Sequence, residues 1–110
     1  MAKATFVQTG DNIDYTAASD IEYMDVVKLT DRIGVALEAI PNGETGTVTL
    51  TGVFDIPAAT GNGTALTVGQ KAYWDATNSV ITPTATDNTF AGYAVAAKAT
   101  AGAVARVRIG

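Results

Sequence analysis

The sequence predicts an all-β protein, a small barrel or sandwich of about seven to nine short strands. Three observations predict it. Apolar residues recur mainly at every second position, 17 threonines crowd the segments between Gly, Asn and Asp clusters, and Gly34-Val35-Ala36-Leu37-Glu38-Ala39 returns as Gly92-Tyr93-Ala94-Val95-Ala96-Ala97. Period-two alternation gives a strand one apolar and one polar face, and β-branched side chains suit the pleated surface.

Taken in order, Thr9-Gly10-Asp11 reads as a first turn, and Lys28 to Glu38 and Gly46 to Phe54 as strands. In the second of these, Val48 and Leu50 alternate with Thr47, Thr49 and Thr51. Pro41-Asn42-Gly43-Glu44 lies between them and supplies a residue without a donor followed by one that tolerates positive φ, which is a turn. Pro57 to Gln70, with Gly61, Gly63 and Gly69, reads as a long flexible loop. A hairpin follows over Lys71 to Thr82, with Ala72-Tyr73-Trp74 and Val80-Ile81-Thr82 flanking Asp75 to Ser79. Ala91 to Ala99 has the composition of a helix. Its likeness to the segment beginning at Gly34 makes it a strand instead, and Thr47-Val48-Thr49-Leu50 correspondingly aligns with Arg106-Val107-Arg108-Ile109. Ala103 to Ile109 alternates strictly and closes the chain as a strand. The core expected from these patterns is Val35, Leu37, Val48, Leu50, Phe54, Tyr73, Val80, Val95, Val107 and Ile109.

The 110 residues fit a single domain spanning 1–110. Of the 47% hydrophobic residues, 20 are alanines, so the interior is thin and further apolar area is expected to be buried against copies or partners. The net charge of −4 is uneven: residues 1–44 hold eight acids against three bases, and residues 45–110 three acids against four bases. No basic face with interleaved aromatics is present, which argues against direct binding of nucleic acid. No apolar run is long enough to cross a membrane as a helix, and Met1-Ala2-Lys3-Ala4-Thr5-Phe6 has no secretory core, so a chain made in the cytoplasm is expected.

Cysteine and histidine are both absent. Thiolate nucleophiles, imidazole bases and the usual zinc and copper ligands are thereby excluded, and no nucleophile and base pair can be nominated. An enzyme is not expected, nor a cofactor. Gly61-Asn62-Gly63-Thr64 begins like a phosphate-binding loop but lacks the third glycine, and no Gly-Lys pair exists. Asp11, Asp14, Asp20, Glu22 and Asp25 are oxygen-rich without calcium-loop spacing, and solvated edge charges explain them. Tyr73 and Trp74 are neighbours in an expected strand, so one faces inward and the other is left for an oligomer or ligand surface.

Gly52-Val53-Phe54-Asp55-Ile56-Pro57, Gly69-Gln70-Lys71-Ala72-Tyr73-Trp74-Asp75, Gly92-Tyr93-Ala94-Val95 and the closing Ala105-Arg106-Val107-Arg108-Ile109 together resemble the small capsid decoration, or cement, proteins of tailed phages. The resemblance covers nearly the whole chain. It departs at Tyr23-Met24-Asp25, where a Gly-Asp pair is expected, and in a short N-terminal arm. It implies a structural virion protein, similar in role to the head-stabilising trimers of lambda-like phages, on the outer capsid surface. The implied partners are the major capsid protein and, in a homotrimer, copies of the chain itself. Segments free of core duties are the candidate capsid contacts: Lys3, Thr5 and Phe6 in the arm, and Gly61 and Asn62 in the long loop. The arm could add a strand to a capsid subunit, or serve as the first strand of the protein's own sheet. A carbohydrate- or cell-surface-binding β module of a phage tail or fibre is the alternative reading, with Tyr73 or Trp74 as its stacking platform.

Overall fold

The computed structural model describes residues 1–110 and contains nine strands and no helix. They are β1 (Asn12–Thr16), β2 (Val26–Lys28), β3 (Ile33–Ala36), β4 (Thr45–Thr49), β5 (Gly52–Pro57), β6 (Lys71–Asp75), β7 (Val80–Thr82), β8 (Thr89–Ala94) and β9 (Val104–Ile109). Two antiparallel sheets result, ordered β1-β4-β3-β2 and β5-β9-β8-β6-β7. The all-β prediction holds, as do the hairpin at β6–β7 and the closing strand.

The two sheets are the same unit built twice, with β7 added at one edge of the second. Val35 pairs with Thr49 and Ala36 with Val48 in the first sheet, while Tyr93 pairs with Arg108 and Ala94 with Val107 in the second. These are the residues that the sequence repeat aligns. The likeness extends into the connections. Ile21 and Ile40 exchange backbone hydrogen bonds, and Leu66 and Lys98 do the same in the second unit. The Met24 amide donates to Ala36 O at 2.8 Å, and the Gly69 amide to Ala94 O at 2.7 Å. Asp25 Oδ2 accepts from the Glu22 amide at 2.9 Å, and Gln70 Oε1 from the Thr67 amide at 3.0 Å. Even backbone conformation is repeated, since φ is 69° at Met24 and 87° at Gly69. The expected Gly-Asp turn is therefore formed by Met24-Asp25.

Three predicted strands are shorter than expected, and of Ala91 to Ala99 only the part up to Ala94 lies in a strand, β8. Lys28 to Glu38 is broken by a tight connection between β2 and β3, closed by the Leu29 amide donating to Arg32 O at 2.8 Å. Gly46 to Phe54 is broken at Leu50-Thr51, where the chain leaves one sheet for the other. Alternation passes through such breaks undisturbed, which is why the pattern alone joins them. Pro41–Glu44 is a turn as expected, with Gly43 at φ 83° and the Glu44 amide donating to Pro41 O.

Thirteen buried residues form the larger core, including Ile33 and Val35 from the first unit and Ile56, Leu66, Ala72, Trp74, Ile81, Ala94, Val107 and Ile109 from the second. A smaller core of Ala17, Val27, Ala36, Ile40 and Val48 lies on the opposite face of the first sheet. Val35, Val48, Val107 and Ile109 are buried as expected. Leu50, Phe54, Tyr73 and Val80 are half-buried. Leu37 and Val95 are corrections: both are exposed. They are equivalent positions in the two units, each one residue past a strand end, where the chain bends away from the sheet.

Candidate functional site

Residues 1–9 form no strand and pair with no ladder. Phe6 and Val7 are each 84% exposed, and Lys3 and Thr5 are exposed beside them. An apolar aromatic held in water is uncompensated, so the arm is not a first strand of the protein's own sheet. The arm's side-chain hydrogen bond, Gln8 Nε2 to Asn12 O at 3.4 Å, lies at its base.

Gly61 and Asn62 are also exposed, but their loop is anchored, against the expectation of flexibility. The Gly61 amide donates to Thr100 O at 2.8 Å, and Thr64 Oγ1 donates to Gly61 O at 2.6 Å. Beneath them Lys98, buried to 6% exposure, donates from Nζ to Thr64 O and to Ala99 O, both at 3.0 Å. A buried ammonium needs acceptors, and these carbonyls take two of its three N–H donors. No hydrogen bond joins the arm to the loop, so the two sets of candidate contacts are separate features.

Tyr73 and Trp74 divide as neighbours in a strand must. Trp74 is in the core at 7% exposure, which withdraws it from any ligand or partner surface. Tyr73 is half-buried on the outer face of the second sheet and begins a row of edge-to-face rings. Its centroid lies 5.8 Å from that of Phe90, and Phe90 lies 5.5 Å from Tyr93. Sequence reasoning missed Phe90 and Tyr93, because a bulge between Ala72 and Tyr73 in the β6–β8 register is what brings the three rings to one face.

The same face carries Lys71, Arg106 and Arg108, all exposed, which corrects the expectation that no basic face with interleaved aromatics is present: residues far apart in sequence meet only when β6, β8 and β9 pair. Arg106 is paired with Asp55 across β9 and β5, with Nε to Oδ1 at 2.9 Å and Nη2 to Oδ2 at 3.2 Å. These bonds and the guanidinium charge hold the Asp55 carboxyl below its ordinary range and raise Arg106, while desolvation opposes both.

Three acids of the first unit, Asp20, Asp25 and Glu38, are engaged with backbone. Asp20 Oδ1 accepts from the Asn42 amide at 2.9 Å, and Asp25 from Glu22 as above, so these carboxylates close turns. No group of three or more His, Cys, Asp or Glu side chains converges as metal ligands.

The fold and its exposed features define a small all-β protein with an unpaired N-terminal arm and an aromatic and basic sheet face. The chain belongs to the phage cement protein family, whose family model matches residues 7–109. That family is structural and capsid-binding. No curated protein and no solved structure matches the chain.

Proposed function

We propose that this protein decorates the outer surface of an assembled phage capsid, binding the major capsid protein and stabilising the shell against the outward pressure of packaged DNA. The observation that carries the reading is family membership over residues 7–109, nearly the whole chain. The reading includes a homotrimer, made in the host cytoplasm and resident on the virion, in which residues 1–110 act as one non-enzymatic decoration domain without a cofactor. Trimers engaging several capsid subunits at once let modest contacts act together.

The capsid contacts proposed are Lys3, Thr5 and Phe6, with Gly61 and Asn62 as the second set. Support for the first set is the uncompensated exposure of Phe6 on a segment that pairs with nothing in its own fold. Such a segment can add its backbone to an open sheet edge of a capsid subunit.

Sedimentation with expanded, undecorated capsids tests the function. The full chain co-sediments, and deletion of residues 2–6 abolishes co-sedimentation while leaving the fold intact. A full-length protein that stays in the supernatant at saturating concentration overturns the reading.

The second reading, a glycan-binding module of a tail or fibre, is favoured by the row of half-buried Tyr73 and exposed Phe90 and Tyr93. It requires selective binding on a glycan array that is lost in Tyr73→Ala.

A further inference from the structure

The two units are packed head to tail. Each has an inner face, formed by Val27, Ala36 and Val48 in the first unit and by their equivalents Ala72, Ala94 and Val107 in the second. Each also has an outer face: Val26, Val35 and Thr49 in the first, Lys71, Tyr93 and Arg108 in the second. Within the chain, the outer face of the first unit lies on the inner face of the second, since Val26, Ile33 and Val35 join the larger core. Val26, Val35, Phe54, Ile56 and Pro57 line one narrow cleft of about 110 Å³ between the units.

This leaves two surfaces unused, and they are the same two kinds. The second unit's outer face is open, with Tyr93 44% exposed. On the first unit's inner side, Tyr15 and Ile21 stay half-buried, whereas their equivalents Ile56 and Leu66 are each 2% exposed. Charge separates them further. Beside Tyr15 and Ile21 one surface depression holds Asp20 and Asp25 against a single cation, Lys28. The second unit's outer face carries Lys71 and Arg108.

We propose that the outer face of the second unit packs on the inner face of the first unit of another copy of this chain, repeating between molecules the contact made within one. Tyr93 then takes the place of Val35 and lies against Ile13 and Tyr15 of the neighbour, which brings Lys71 to the side of the sheet where the acidic depression lies. The contact is heterologous, so it does not stop at a two-fold pair, and it closes into a ring where its rotation allows, as the homotrimer reading requires. The inference rests on the reading that the protein works as an oligomer, and it assigns the surfaces that join.

Because the chain has no cysteine, single-cysteine variants report the contact directly. Val35 and Pro57 line the same internal cleft, and their equivalents are Tyr93 and Thr16. Under oxidation, in solution and on decorated capsids, Tyr93→Cys mixed with Thr16→Cys gives a disulfide-linked pair, and neither variant alone does. Lys71→Glu weakens self-association about tenfold, because it sets a carboxylate towards an acidic depression. Self-linking of Tyr93→Cys alone, or no mixed link in either setting, overturns the proposal. Capsid co-sedimentation of the same variants is scored separately, so loss of the decoration reading is distinguished from loss of the interface.

Discussion

Gly34 and Gly92 hold the same position in the two units, and in each a β-carbon would be driven into the paired strand. At Gly34 it would meet the Val48 side chain and lie 3.0 Å from Thr49 O; at Gly92 it would strike the carbonyl of Arg108, the residue equivalent to Thr49. Strand pairing at this point of the repeat requires bare backbone.

Gly92→Ala should accordingly destabilise the protein by about 1–3 kcal/mol, as overpacking does, with Gly34→Ala in the same range. Gly92→Ala should be the worse, because backbone cannot swing aside as the Val48 side chain can. Urea unfolding checks this through a lower midpoint at unchanged slope.

Met24 and Gly69 give a paired prediction of opposite sign. Both hold positive φ, which penalises a β-carbon, so Gly69→Ala should cost about 1 kcal/mol and Met24→Gly should stabilise by up to about 1 kcal/mol. Thermal unfolding of the two variants side by side is the measurement. Destabilisation by Met24→Gly would show that the partly exposed Met24 side chain, which lines the cleft between the units, contributes more than the strain.

The repeat also explains how much was legible from sequence. Gly34, Ala36 and Val48 match Gly92, Ala94 and Val107 in identity, so that half of the unit could be read directly. β1 and β5 could not be matched. Asn12-Ile13-Asp14-Tyr15-Thr16 and Val53-Phe54-Asp55-Ile56-Pro57 share little beyond an aspartate, and the longer second loop and β7 change the spacing, so no single offset aligns both halves. Main-chain hydrogen bonds preserve the likeness where side chains have lost it. The arm was only half legible: Ala2, Ala4 and Phe6 alternate with Lys3 and Thr5, so the segment read equally as a capsid-contact arm or as a first strand. The ring row was not legible, because it depends on a bulge that leaves no mark in the pattern.

Lys98 stands where the first unit has Ile40, and its ammonium ties Thr64 O of the long loop to Ala99 O of its own segment. Lys98→Ala removes those donors and opens space, and should cost about 2 kcal/mol. Limited proteolysis should then cut first between Gly61 and Ala65. Cleavage at an unchanged rate would mean the loop is held by its backbone bonds alone.

Asp55 and Asp75 are both held below the ordinary carboxylate range, Asp55 by Arg106 and Asp75 by the side chain and then the backbone amide of Asn78. A depressed carboxylate contributes stability above its unfolded pKa and loses it as pH falls through the folded value, so both contributions fade only in acid. NMR titration of the carboxyl carbons should show Asp55 moving up in Arg106→Ala, and Asp75 in Asn78→Ala, each without affecting the other. Both sites are exposed, and the accompanying change in stability should be small.

The link between β4 and β5 is only Leu50 and Thr51. A tether that short holds the two units at an effective concentration in the millimolar range or above, far beyond any concentration a separate chain reaches in solution. The contact inside the molecule is therefore made first and saturated as the chain folds. Any like contact between molecules has to form at the protein's own concentration, and it gains an advantage only where copies are gathered on a common surface. Folding and assembly are thus separated in order, without a switch, by the length of one connection.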